Sequence, residues 1–423
     1  MLYIKNGTVI DPEKDMFYQG NLLIDQGKIK KIIHNKEEDV GDVQILDAEG
    51  LMIAPGLADA HVHFRDPGFT YKEDIFSGAL AAVKGGYTQI VLMANTRPCV
   101  DNPDTLSYVL EKGKKTGIHI HTCANVTRGM KGQELVDMEL LAMEGAAGFT
   151  DDGIPLLKEE LVREAMERSR KLHKPISFHE ENPAFISNNG INAGKASEYY
   201  GIGGSPREAE IDLIERDLEL ALQTGADIVI QHISTKEGVE LVRRARKQGG
   251  HIHAEATPHH FALTQEAVIQ KGTLAKMNPP LREEEDRIAI LEGLQDGTID
   301  MIATDHAPHS SQEKALPITE APSGIIGLET ALSLGIRELI FTNRLTWPQL
   351  IHRMSTAPCR LYGLKGGSIA EGAEADLVLF SPKETWIVQE LASKADNSPF
   401  IGETLPGVVH YTVCGGRIVY QKK

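Results

Sequence analysis

The sequence predicts an α/β protein: a (β/α)8 TIM barrel joined to a small β-sandwich domain formed by both chain ends. Three observations carry this reading. Between about Ala54 and Pro308, eight short apolar, β-branched runs alternate with stretches of 3.6-residue period, which is the rhythm of βα units. No GxGxxG follows the first run, so the dinucleotide site of an open doubly wound sheet is missing. Both ends switch to short alternating segments broken by turns.

The strand candidates are Gly56 to His63, Thr88 to Thr96, Ile118 to Val126, Ala146 to Asp152, Pro175 to Glu180, Asp227 to Ser234, His251 to Thr257 and Asp300 to His306. Between them lie helical patterns at Lys72 to Lys84, Thr105 to Thr116, Lys158 to His173, Pro206 to Gln223 and Lys236 to Lys247, each closed by Gly or a basic last turn. Asn182 to Gly204, rich in Asn, Gly and Ser, reads as an irregular excursion. At the ends, Leu2 to Ile10, Asn21 to Ile33, Val43 to Asp47, Ala375 to Phe380 and Val408 to Val419 read as β. Residues 1–53 and 365–423 are therefore expected to pair into one sandwich, with the barrel, residues 54–364, inserted between them.

Composition sets the outer limits. The 423 residues are 41% hydrophobic and 25% charged, as in soluble globular proteins. Against 60 Asp and Glu stand 44 Lys and Arg, a net charge of −16 that would repel a phosphate backbone, so no nucleic-acid partner is expected. The apolar runs fall short of the about 20 residues of a membrane span. Met1 leads directly into a strand-like segment rather than a basic, then apolar leader. Cys99, Cys123, Cys359 and Cys414 form no CxxC pair, so neither a zinc ribbon nor a disulfide framework is indicated. A cytoplasmic location is expected.

Chemistry should sit at the C-terminal ends of the barrel strands. His61 and His63, two apart on one strand, point to one side and suit one metal ion. His119 with His121, and His251 with His253, share that spacing but stand at strand beginnings, where structural roles are expected. The same positional test selects Asp151 and Asp152, His179, His232 and Asp305. Imidazoles mixed with carboxylates favour Zn²⁺ or a similar divalent ion. His61, His63, Asp305 and one carboxylate would hold one ion, and His179, His232 and the same carboxylate a second. Such a pair lowers the pKa of a water from ~15.7 toward ~7, which suits hydrolysis. Asp305 is placed to carry the proton to a leaving nitrogen. Arg65, Asn95, Asn278 and His309 share the rim, and together they fit an anionic amide.

The segments Asp59-Ala-His61-Val-His63-Phe-Arg65-Asp-Pro67-Gly68, Tyr71-Lys72-Glu73-Asp74, Met93-Ala-Asn95-Thr96-Arg97-Pro98, Phe149-Thr-Asp151-Asp152-Gly153, Met277-Asn278-Pro279-Pro280-Leu281-Arg282 and Thr304-Asp305-His306-Ala307-Pro308-His309 give the chain a family resemblance. Along essentially its whole length it resembles the dihydroorotases of the longer bacterial type, within the amidohydrolase superfamily. The resemblance implies interconversion of N-carbamoyl-L-aspartate and L-dihydroorotate in pyrimidine synthesis. It implies zinc, two ions favoured over one, on His61, His63, Asp152, His179, His232 and Asp305, with Asp305 also the acid and base. His63 lies beside the substrate as well. Arg65, Asn95 and His309 would grip the substrate carboxylate, Asn278 the ring, and backbone at Ser323 and Gly324 would close the pocket. Many superfamily members bridge their metals with a carbamylated lysine on the fourth strand. Here no lysine follows until Lys158, so an aspartate bridge is implied, placed by the match on Asp152, with Asp151 its neighbour and alternative. Ser323 departs from the aromatic residue of many relatives.

Two other readings stand beside this one. A hydantoinase or allantoinase would share barrel and metals but bind substrates without the carboxylate, which Arg65 and Asn95 argue against. A metal-free structural partner of aspartate carbamoyltransferase would have lost ligands, and none is missing. A homodimer and an association with aspartate carbamoyltransferase are the partners the resemblance suggests.

Overall fold

The computed structural model describes residues 1–34 and 40–423. Its strands are β1 (Leu2–Asp11), β2 (Met16–Asp25), β3 (Lys28–His34), β4 (Gln44–Asp47), β5 (Met52–Pro55), β6 (Leu57–Val62), β7 (Tyr87–Leu92), β8 (His119–Thr122), β9 (Phe149–Thr150), β10 (Ile176–Phe178), β11 (Ile228–Ile230), β12 (Ile252–Ala256), β13 (Met301–Ile302), β14 (Leu377–Ile387), β15 (Thr404–Cys414) and β16 (Arg417–Gln421).

β6 to β13 are the eight expected barrel strands, and every pairing among them is parallel. Hydrogen bonding divides them into β6-β7-β8 and β9-β10-β11-β12-β13. Two seams complete the ring, each spanned by one parallel bridge, Ala124 with Phe149 and Val62 with His306. Side chains strengthen the second seam. Buried Asp59 accepts from the backbone N–H of His61 at 3.1 Å and of Thr304 at 3.1 Å, joining the first strand to the eighth. Burial pushes the Asp59 carboxyl up to about 7, against these hydrogen bonds.

The helices sit where the 3.6-residue periods placed them, and three of the five begin on a side-chain cap. Asp74 and Ser77 form a capping box on Ile75–Lys84, and Asn102 accepts from Thr105 N–H at the head of Pro103–Gly113. The excursion at 182–204 holds a short helix, Lys195–Tyr200. Arg282 pins it, donating to Asn192 Oδ1 at 2.9 Å and to the Ser205 carbonyl at 2.7 Å.

Strands from both ends form one eight-stranded mixed sheet in the order β16-β15-β14-β5-β1-β2-β3, with β4 paired to β1. Its alternation serves two cores. Met52, Ala54, Val378 and Phe380 join the main core with the barrel. Ile53, Leu377 and Leu379 instead join Leu2, Ile4, Leu22 and Val413 in a second core. At the opposite end of the barrel from the strand-end candidates, His119 lies 3.1 Å from Asp376 Oδ2. Asp376 also accepts from Gly415 N–H and Gln89 Nε2, so this cluster clasps barrel to sheet. His253 is likewise 2.7 Å from Asp300. Among the described residues, no helix is long and apolar enough to cross a membrane.

Candidate active site

His61, His63, Asp152, His179, His232 and Asp305 all come together at the C-terminal ends of the barrel strands, and all are buried. His61 Nε2 lies 3.4 Å from Asp152 Oδ1 and 3.5 Å from Asp305 Oδ1. His63 Nε2 is 2.9 Å from Asp305 Oδ1 and 3.4 Å from Asp152 Oδ2. On the other side of Asp152, His179 Nδ1 is 2.9 Å from His232 Nε2, and both face Asp152 Oδ1, at 3.8 and 3.9 Å. Asp152 thus stands between two histidine pairs. Asp305 and His232 sit in left-handed backbone, with φ 48° and 31°, as does Arg65 at 59°. Strain of this kind costs about 1 to 3 kcal/mol per residue and gathers at functional sites.

The outer nitrogens decide what the inner ones offer. Glu255 Oε2 lies 3.0 Å from His61 Nδ1, Asn95 Oδ1 3.0 Å from His63 Nδ1, and Glu181 Oε2 3.1 Å from His179 Nε2. Each partner is an acceptor, so each outer nitrogen carries the proton and each inner one turns a lone pair inward. Lone pairs and carboxylate oxygens then face one another with no proton between them. His61 Nε2 is buried without a hydrogen-bond partner for this reason. The space they enclose calls for positive charge, which a metal ion would supply, with Glu255 and Glu181 orienting the imidazoles. The same negative field would favour a proton in place of the ion. Burial opposes a charge on His61, but Asp152, Asp305 and Glu255 hold it well above the usual range. Burial would raise Asp152, yet His61, His232 and His63 hold its carboxyl well below.

Asp151 faces away from this cluster. It accepts from Val126 N–H at 2.9 Å, Thr127 N–H at 3.2 Å, Asn125 Nδ2 at 3.2 Å and the Thr127 hydroxyl, tying the loop after β8 to the end of β9. Asp152→Ala is therefore expected to lower metal stoichiometry and activity together. Asp151→Ala should keep its metal while losing about 1 to 3 kcal/mol of stability through stranded buried donors. Metal analysis and denaturant melts of both variants would check this, and the opposite ranking would move the ligand by one residue.

A cavity of about 120 Å³ adjoins the cluster, lined by Arg65, Asn95, Asn278, Ser323 and Gly324 together with His63, Asp152, His179, His232 and Asp305. A wider surface hollow of about 630 Å³ near Arg170 and Asp227 has no converging buried imidazoles. Asn95 Nδ2 donates to Asp152 Oδ2 at 3.1 Å, and Asn278 Nδ2 lies 3.1 Å from His179 Nε2. His309 stands 3.3 Å from Arg65 Nη2. The segment carrying Ser323 and Gly324 is held by two buried lysines. Lys276 donates to the Ile318 and Ala321 carbonyls at 2.7 Å, and Lys314 to those of Pro322 and Gly324 at 3.0 and 3.1 Å. Gly324 has φ +133°, and a Cβ there would meet Ala307 Cβ at 2.9 Å, so only glycine fits.

Glu255 and Glu181 were not picked out from the sequence, although each stands two residues after a histidine: Glu255 after His253 on β12, and Glu181 after His179 just past the end of β10. Lys276, Lys314 and Asn397, whose side chain donates to the Ala307 and Gly324 carbonyls, carry no such signal.

The model of the amidohydrolase family matches residues 52–419. A dihydroorotase of Clostridioides difficile is 53% identical over 420 residues, covering 99% of this chain and 100% of that protein. One from Clostridium acetobutylicum is 48% identical, with each chain covered completely. Among solved structures, an L-hydantoinase (dihydropyrimidinase) from Arthrobacter aurescens superposes with a TM-score of 0.89 at 24% identity, covering 100% of this chain and 96% of that one. A dihydropyrimidinase from Brevibacillus agri gives 0.86 at 23%, covering 99% and 95%. These two share the fold. The chain belongs to the amidohydrolase family and, within it, to the dihydroorotases.

Proposed function

We propose that this chain interconverts N-carbamoyl-L-aspartate and L-dihydroorotate with two zinc ions, one on His61, His63, Asp152 and Asp305, the other on Asp152, His179 and His232. The observation that carries the proposal is the inward convergence of imidazole lone pairs and carboxylates beside a cavity with a cationic corner. When bound, the metal supplies Lewis-acid polarisation and a nucleophile usable at neutral pH. The chain's own groups supply the rest. The Asp305 side chain is 12% exposed against 4% for Asp152, so it is the carboxylate with access to the substrate. It takes the proton of the attacking group and returns it to the leaving ring nitrogen. Arg65, Asn95 and His309 hold the substrate carboxylate, and the Ser323–Gly324 backbone closes over the ring. Asn278, on the cavity wall, contacts the ring.

The test is metal analysis combined with dihydroorotate hydrolysis by the purified chain. Two zinc ions per chain are expected, with activity lost on chelation and regained with Zn²⁺. Full activity in metal-free protein would sink the proposal.

A further inference from the structure

The ring of His309 is approached from both edges by donors. Lys72 Nζ lies 3.2 Å from Nδ1, and Arg65 Nη2 lies 3.3 Å from Nε2. An ammonium and a guanidinium can only donate, while a neutral imidazole has one lone pair and an imidazolium none. At most one of the two contacts is a hydrogen bond. The other sets donor against donor.

The surroundings decide which. Lys72 is fixed from behind by an ion pair to Glu313 at 2.8 Å, and Glu313 in turn accepts from Ser310 N–H at 3.0 Å and the Tyr71 hydroxyl at 3.1 Å. The Lys72 ammonium lies 5.6 Å from the Phe69 ring and 5.7 Å from that of Tyr71, and its side chain is 11% exposed. These contacts hold the ammonium against the His309 edge. Arg65 is anchored through Nε on the Pro308 carbonyl at 3.2 Å and lines the cavity, so its Nη groups have an alternative acceptor whenever an anion enters.

We infer that Lys72 is a positioning residue: it fixes the His309 tautomer with Nδ1 as acceptor, so that Nε2–H and the Arg65 guanidinium stand side by side as donors for one carboxylate. Their apparent conflict is then an anion site, because a carboxylate bridging the two satisfies both with charge-assisted hydrogen bonds. Burial, with Arg65, Lys72 and Lys314 close by, pushes His309 down to about 2 against a hydrogen bond to the Ser323 backbone, which keeps the ring neutral and the tautomer question meaningful. The inference rests on the substrate reading above, since that reading supplies the carboxylate.

The test uses metal-loaded enzyme isotope-labelled at its histidine nitrogens, with the His309 signals assigned by their loss in His309→Asn. Long-range proton–nitrogen correlations distinguish the tautomers. The wild type should show Nε2–H, with and without L-dihydroorotate. Lys72→Met should move population to Nδ1–H and raise KM for dihydroorotate about 10- to 100-fold, the loss falling on KM rather than kcat, and Lys72→Arg should restore most of it. An Nδ1–H tautomer in the wild type overturns the inference, as does a tautomer indifferent to Lys72→Met or a loss confined to kcat. The wild-type spectrum decides the matter even if Lys72→Met fails to fold. An enzyme that cannot hydrolyse dihydroorotate would refute the substrate reading separately, since the spectrum needs no turnover.

Discussion

Asp305→Asn is expected to lower kcat for dihydroorotate by at least ~10² to 10⁴, the range for a lost general acid and base. Asparagine is the informative substitution because it tolerates the left-handed backbone that Asp305 occupies at φ 48°. It keeps the shape but cannot carry the proton. Burial would raise the Asp305 carboxyl, yet His61, His63 and His232 hold it far below the ordinary range. It therefore waits ionised, as a base must. The ligands of the second pair, His179 and His232 with Asp152, are untouched, so at least part of the metal should remain in the variant. Wild-type kcat in Asp305→Asn would remove the assignment, and loss of all metal would show that Asp305 acts chiefly as a ligand.

Arg65→Met should lower kcat/KM for dihydroorotate by about one to four powers of ten, since each charge-assisted bond to the carboxylate is worth about 1.5 to 3 kcal/mol. For dihydrouracil, the same ring without the carboxylate, the substitution has no such bond to remove. The wild type should prefer dihydroorotate strongly, and Arg65→Met should narrow the preference by harming the charged substrate. Kinetics on both rings with both proteins decides this. A variant that kept the full preference would show that another group reads the carboxylate. A wild type better on dihydrouracil would favour a hydantoinase-like activity.

The barrel was legible because each strand is a run of apolar, β-branched residues, but the runs overstate the ladders. Ala146 to Asp152 reads as one strand, whereas the regular ladder is only Phe149–Thr150, preceded by single backbone bonds at Ala147 and Gly148. Asp151 and Asp152 follow where the chain leaves the sheet. The opposite error occurs at the ends. Asn21 to Ile33 spans parts of β2 and β3, folded back at Gln26 and Gly27 with φ 49° and 79°, and Val408 to Val419 spans the turn at Gly415 and Gly416. Alternation of period two continues across such turns, so periodicity alone does not mark them. The candidate ligands could be picked out because strand ends project to one rim. The lysines and Asn397 that hold the surrounding loops were not, because contacts between distant loops leave no local pattern.

The seam between β6 and β13 has a consequence for how the barrel opens. Val62 and His306 share the one backbone bridge there, while β10, β11 and β12 hold one another through continuous ladders. Local opening starts where few backbone bonds must break together. Amide hydrogens at His63, which donates to the His306 carbonyl, and at Thr304 are thus expected to exchange with solvent sooner than those of Val229 and Ala254. His61 and His63 lie on one side of that seam and Asp305 on the other, so a sparsely paired part of the barrel wall is also a part that divides the candidate catalytic groups.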